Sequence, residues 1–120
     1  MSWENEYKSK LTTAEKAVEL IKSGNRVVIG HACAEPSYLV DAMVANAESY
    51  HDVEIVHMVA MGKAGYAQPG MESHFRHNAL FVGGTTRKAV AEGRGDYTPC
   101  FFYRIPELFT NGSLPVDVAL

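Results

Sequence analysis

Cysteine is scarce in this 120-residue chain, with two residues at positions 33 and 100. They fall in separate predicted elements and make no disulfide framework. No stretch approaches the ~20 consecutive apolar residues that a bilayer-spanning helix needs. The opening residues, MSWENEYKSK, lack the apolar core of a secretory signal. Lysine and arginine form no run and the net charge is −3, so nothing advertises a nucleic-acid or membrane surface. The cytoplasm is therefore the expected compartment. A GxGxxG is missing, as is the Lys-Ser/Thr of a P-loop, which leaves no dinucleotide or P-loop fingerprint. Repeats, low-complexity tracts and linkers are missing too, and the length suits one small domain.

What is present belongs to a globular protein, with 47% hydrophobic and 21% charged residues. Thr12-Thr13-Ala14-Glu15 reads as a capping box, followed by Ala14, Ala17, Val18 and Ile21 on one helical face, with Gly24 as the stop. Arg26 to Ile29 is a short apolar strand without polar alternation, as in parallel sheets. Pro36 opens a second helix with Leu39, Ala42, Met43 and Ala47 as its buried stripe. Val53 to Ala60 is a second strand, with Val53, Ile55, His57 and Val59 opposite Val56, Met58 and Ala60. Beyond the irregular Met61 to Gly70, the pattern predicts helical turns over Met71 to His77 and a strand over Ala79 to Val82. A helix over Thr85 to Glu92 and a strand over Cys100 to Tyr103 follow, then a helical turn over Pro106 to Phe109. The expected fold class is α/β, a mostly parallel open sheet with helices on both faces. The last residues, Leu114 to Leu120, read as entry into a strand inside which the sequence stops. A domain incomplete at its C-terminus, within a longer protein, is the expectation.

The stretch around which the rest is organised is Asn25 to Met43, a strand, a glycine loop and a helix. In open α/β sheets ligands collect outside the carboxyl ends of strands, where Gly30 to Pro36 would sit. The loop is either a plain turn or a nest whose His31 and Ala32 amides hold an oxyanion. His31 either donates to a substrate oxygen or caps the loop. Cys33 is either a nucleophile beside a helix N-terminus or a small buried hydrophobe. Glu35 is equally placed as a structural cap or a catalytic acid. Gly83-Gly84-Thr85-Thr86-Arg87 is a second strand-end loop, suited either to an anion or to a capped helix with a solvated Arg87. His74-x-x-His77, with His57 as a third group, gives only a weak metal signal, and no metal is expected. Phe101-Phe102-Tyr103 reads as core.

Three stretches carry a wider likeness: SGNRVVIGHACAEPSYLVDAMVANA, VHMVAMGKAGYAQP and TTRKAVAEGRGDYTPCFFYRIPELF. Through them the chain resembles, from Trp3 to Leu120, the N-terminal portion of 4-hydroxybutyrate CoA-transferases. These belong to the acetyl-CoA hydrolase/transferase group of class I CoA-transferases. The resemblance implies a ping-pong exchange of coenzyme A between an acyl-CoA (acetyl-CoA or butyryl-CoA) and a short carboxylate, through a glutamyl intermediate. Coenzyme A is then a substrate, and the full-length protein is commonly a homo-oligomer. It implies two similar α/β domains, with these 120 residues the N-terminal part of the first and the nucleophilic glutamate in a second that is absent. Gly30, His31 and Ala32 are then substrate or oxyanion contacts. Met58 and the Gly62 to Gln68 loop, Tyr66 included, wall the acyl pocket, and Thr85 and Arg87 lie near the domain interface. An acyl-CoA hydrolase and a stand-alone small-anion-binding domain are the alternatives.

Overall fold

A computed structural model describes residues 2–120. Five parallel strands form one sheet in the order β4-β3-β2-β1-β5. These are β1 (Arg26–Ile29), β2 (Val53–His57), β3 (Phe75–Ala79), β4 (Gly95–Tyr97) and β5 (Val118–Ala119). Helices α1 (Trp3–Lys10), α2 (Ala14–Val18), α3 (Ser37–Ala45), α4 (Arg87–Ala91) and α5 (Ile105–Thr110) complete the order. Helices lie on both sides of the sheet, as the strand–helix alternation requires. Among the described residues no helix is long and apolar enough to cross a membrane.

Strand alternation divides the sheet into two faces. Val27, Ile29, Val53, Ile55 and Phe75 point inward and pack with Val18, Ile21, Val40 and Met43. Val56 and Leu80 point outward and meet Leu114, with Ile105, Leu108 and Phe109 of α5 and partly buried Val28 and Met58 around them. The inner layer is the larger core, and the outer face is covered only in part.

Several elements differ from expectation. Helix α1 was not anticipated, and none of its residues is buried. It rests on local terms: the Ser2 cap, Glu4 and Glu6 in the first turn, Lys8 and Lys10 in the last, and a Lys10–Glu6 pair at 2.8 Å. Thr13, not Thr12, caps α2, accepting from the Lys16 N–H at 3.3 Å. That helix ends at Val18, and Gly24 (φ +79°) instead serves a turn whose N–H donates to the His51 carbonyl. The stretch read as helical turns, Met71 to His77, runs into β3, and the strand read as Ala79 to Val82 ends at Ala79. Pairing of Phe75, His77 and Ala79 with Val53, Ile55 and His57 outweighs local helical spacing. Cys100 to Tyr103 is not a strand; the fourth strand is β4, and after Pro99 the chain leaves the sheet. Phe101, Phe102 and Tyr103 are not core either, being 70%, 68% and 77% exposed. Three adjacent aromatics carry strand propensity but no periodicity to bury them.

Candidate functional site

β1 and β2 are neighbours in register, Ile29 beside His57, so their outgoing loops meet at one rim. Gly30 leaves β1 with its N–H donating to the Leu120 carbonyl at 2.8 Å. A Cβ there would stand 2.8 Å from the Ala34 carbonyl oxygen, so only glycine lets the loop fold back this tightly. His31 then leads into a 3₁₀ turn, Ala32–Ala34. Ala32 holds φ +54°, a left-handed conformation costing a non-glycine residue roughly 1–2 kcal/mol. Its N–H donates to the Val59 carbonyl at 2.9 Å. The N–H groups of Gly30 and Ala32 are thus spent on tying chain to chain, so the Ala32 amide expected to hold an oxyanion is already engaged.

His31 and Met58 line one cavity of about 480 Å³ on the outer face. Val28, Val56, Leu80 and Phe109 supply apolar wall, and Phe102 and Tyr103 stand at the mouth. The lining is almost wholly apolar. His31 is part of that wall; its Nδ1 is turned away from solvent and has no hydrogen-bond partner. The ring meets Phe102 edge-on, with centroids 6.2 Å apart. An apolar cavity with one imidazole in its wall suits a ligand that is mostly hydrocarbon and carries a single polar group.

Gly62 and Tyr66 do not reach this cavity. Tyr66 is 1% exposed within the inner core, and its hydroxyl lies 2.7 Å from the Nδ1 of His57. Gly62 belongs to a loop held by Glu35, whose Oε2 accepts from the N–H groups of Met61 at 2.7 Å and Gly62 at 3.0 Å. Thr85 donates its hydroxyl to the Ala60 carbonyl at 3.2 Å, and Arg87 is exposed at the start of α4. The expected residues therefore divide: Gly30, His31 and Met58 line the cavity, whereas Ala32, Gly62, Tyr66, Thr85 and Arg87 do not.

Burial sets the protonation of the inner histidines. Desolvation pushes the His57 imidazole below its ordinary pKa, against the opposing field of Glu35. His77, more deeply desolvated, is pushed down to about 4. Desolvation and then the Glu35 charge push the Tyr66 hydroxyl well above the usual phenol range. The metal reading of His57, His74 and His77 finds no gathering of ligands: His74 leans on the Tyr50 carbonyl and stacks on His51. Among the described residues no three His, Cys, Asp or Glu side chains converge. Cys33 is exposed rather than a buried hydrophobe. The link from Glu35 through His57 to Tyr66 was not foreseen. Its sequence signal was the phase of His57, a polar residue at a buried position of an otherwise aliphatic strand face.

A parallel sheet flanked by helices on both faces, with a cavity of about 480 Å³ beside its strands, defines an α/β domain. More particularly, residues 1–120 match the Acetyl-CoA hydrolase/transferase N-terminal domain, and the chain belongs to that family. It is 62% identical over 120 residues to the 4-hydroxybutyrate coenzyme A transferase of Clostridium kluyveri, covering all of this chain and 28% of that protein. A crystal structure of a 4-hydroxybutyrate CoA-transferase from Porphyromonas gingivalis superposes with TM-score 0.75 at 31% identity, over 98% of this chain and 26% of that one. RipA from Yersinia pestis shares the fold at TM-score 0.88 and 24% identity, over 99% of this chain and 30% of that one. The chain thus spans somewhat over a quarter of the length of these relatives.

Proposed function

We propose that these residues are the N-terminal part of the first domain of a CoA-transferase. It moves coenzyme A between an acyl-CoA, acetyl-CoA or butyryl-CoA, and a short carboxylate such as 4-hydroxybutyrate. The observation that carries the reading is the His31 imidazole in the wall of an otherwise apolar cavity that Met58 also lines. A short acyl chain fills the apolar part, and His31 bonds its carbonyl or terminal hydroxyl oxygen. The family, and the 62% identity to a relative named for this transfer, support the same choice.

The nucleophile is a glutamate from polypeptide outside these residues, in a second domain. Its carboxylate attacks the thioester carbonyl and expels CoA as thiolate, leaving an acyl–glutamyl anhydride. The thiolate attacks the glutamyl carbonyl, releases the acid and forms an enzyme–CoA thioester. The acceptor carboxylate then repeats the two steps in reverse order. Glu35 is occupied by two amides and Glu92 by Arg94 at 2.6 Å, so neither is free for this role. The full-length protein works as a cytoplasmic homo-oligomer.

The test is transfer from acetyl-CoA to 4-hydroxybutyrate by the full-length protein, with ping-pong kinetics. The isolated 120-residue chain is expected to be inactive, and His31→Ala is expected to lower kcat/KM 10- to 100-fold. Thioester loss without any acceptor acid would make the protein a hydrolase. No thioester chemistry with either acyl-CoA would end the proposal.

A further inference from the structure

Glu35 is a carboxylate buried where the sheet ends, its side chain 3% exposed. Its Oε2 accepts from two successive backbone N–H groups, those of Met61 and Gly62. Charge-assisted bonds of this kind are the stronger ones, and the carboxylate that accepts them is itself buried. A Cβ on Gly62 would overlap Oε1 of the same carboxylate, so glycine at 62 makes the room that Glu35 occupies. The Ala32 N–H to Val59 carbonyl bond joins the same two loops a few residues away. His57 faces Glu35 from the end of β2, its Nε2 4.0 Å from Oε2 and without any hydrogen-bond partner. With a carboxylate opposite Nε2, the favoured neutral tautomer carries its proton there, and Nδ1 accepts from the Tyr66 hydroxyl at 2.7 Å. The next residue after His57 is Met58, which strand alternation turns outward into the cavity.

We propose that Glu35 is a positioning residue, tying the loop after β2 to the loop after β1 so that His31 and Met58 keep their places in one cavity wall. Glu35 is not one of the cavity's lining residues; it acts through the backbone of Met61 and Gly62. His57 and Tyr66 hold the inner side of the tie. The catalytic part of this inference rests on the CoA-transferase reading, whereas the tie itself does not.

Glu35→Ala and Glu35→Gln in the full-length protein test it, with amide hydrogen exchange across residues 58–65 and steady-state transfer kinetics as readouts. In Glu35→Ala, exchange at Met61 and Gly62 should quicken at least ten-fold while the β1–β2 ladder keeps its protection. The kcat should fall at least ten-fold, with KM for the acyl-CoA changed far less. Glu35→Gln, which keeps one acceptor oxygen, should restore part of both. Should Glu35→Ala fail to fold, Gly62→Ala displaces the carboxylate while retaining its charge, and the same two readouts apply. Unchanged exchange at the two amides overturns the tie, and faster exchange with full kcat overturns the positioning role. If the parent protein transfers no CoA, the functional reading fails, while the exchange result still decides whether the tie exists.

Discussion

The hydroxyl of Tyr66 lies 2.7 Å from the Nδ1 of His57, and both side chains are buried on the inner face of the sheet. With its pKa raised by desolvation and by Glu35, the phenol keeps its proton and is the donor. Tyr66→Phe removes that donor and leaves a buried nitrogen unpaired. A buried acceptor left without a partner costs about 1–3 kcal/mol. The urea midpoint should fall accordingly with an unchanged slope, since the ring still fills its place. A midpoint equal to the parent's would mean that water or a rotated His57 makes good the loss.

His77 sits beneath the Tyr66 ring, centroids 5.4 Å apart, with its pKa pushed down to about 4 mainly by burial. Its folded pKa lies below the unfolded value of 6.5, so between these two the unfolded chain binds more protons. Stability therefore rises with pH through this window and is lost as pH falls from about 6.5 towards 4. At roughly 1.4 kcal/mol per pKa unit the full effect is on the order of 3 kcal/mol. His77→Leu should flatten this part of the pH–stability curve, although His57, whose pKa burial also lowers from 6.5, still contributes acid lability of the same sign. Urea melts at pH 4.5 and 7.5 for parent and variant give the comparison, and parallel pH dependences would remove His77 as a cause.

How much of this was legible beforehand depends on periodicity. α3 and β2 have clear 3.6- and two-residue patterns, β1 is an unbroken apolar run, and the α/β architecture followed from them. β3 did not show itself because Arg76, His77 and Asn78 look polar in sequence. Only pairing with β2 explains their places: Asn78 donates to Glu54 at 2.8 Å and His77 lies over the Ile55 carbonyl. The strand-end position of His31 and Met58 was readable from local order. Their separation from Tyr66 was not, because it depends on the turn of the chain between Gly62 and Tyr66, which local pattern does not fix. Ala64 at φ +45° marks that turn, and alanine gives no hint of a left-handed residue.

Gly30→Ala should be costly in a way that Gly84→Ala is not. At Gly30 the new methyl would meet backbone, the Ala34 carbonyl at 2.8 Å, which cannot swing aside as a side chain can. Overpacking against such an obstacle costs about 1–3 kcal/mol. At Gly84 nothing lies within 4 Å, and surface changes of that sort stay within about 0.5 kcal/mol. Thermal melts of the two variants side by side should separate them by several degrees. Equal melting points would show that the Gly30 loop relaxes freely and is not held by its fold-back.

A second polar row crosses the outer face, and its anchor is Arg26. The Arg26 Nε donates to Glu54 at 2.6 Å and one Nη to the Pro115 carbonyl at 3.1 Å, while its backbone N–H donates to Asp117 at 2.7 Å. Glu54 in turn accepts from Asn78, and Asn78 from Thr98, both at 2.8 Å. The row thus runs from the segment before β5 to the residue after β4, with its middle half-buried. Arg26→Met leaves Glu54 with Asn78 alone and frees Pro115. Because the pair is partly exposed, the expected loss is roughly 1–2 kcal/mol, less than for a sealed ion pair. Restoring neutrality with Glu54→Gln in the Arg26→Met background should recover part of it, since coupled neighbours do not add. Exchange of the amides over residues 115–120 should quicken in Arg26→Met, because β5 is a short edge strand whose register with β1 covers Val27–Val118 and Val28–Ala119, extended by backbone bonds at Asp117 and Leu120. If those amides stay as protected as before, β5 is held by its ladder alone and the Arg26 row contributes nothing to keeping that edge in place.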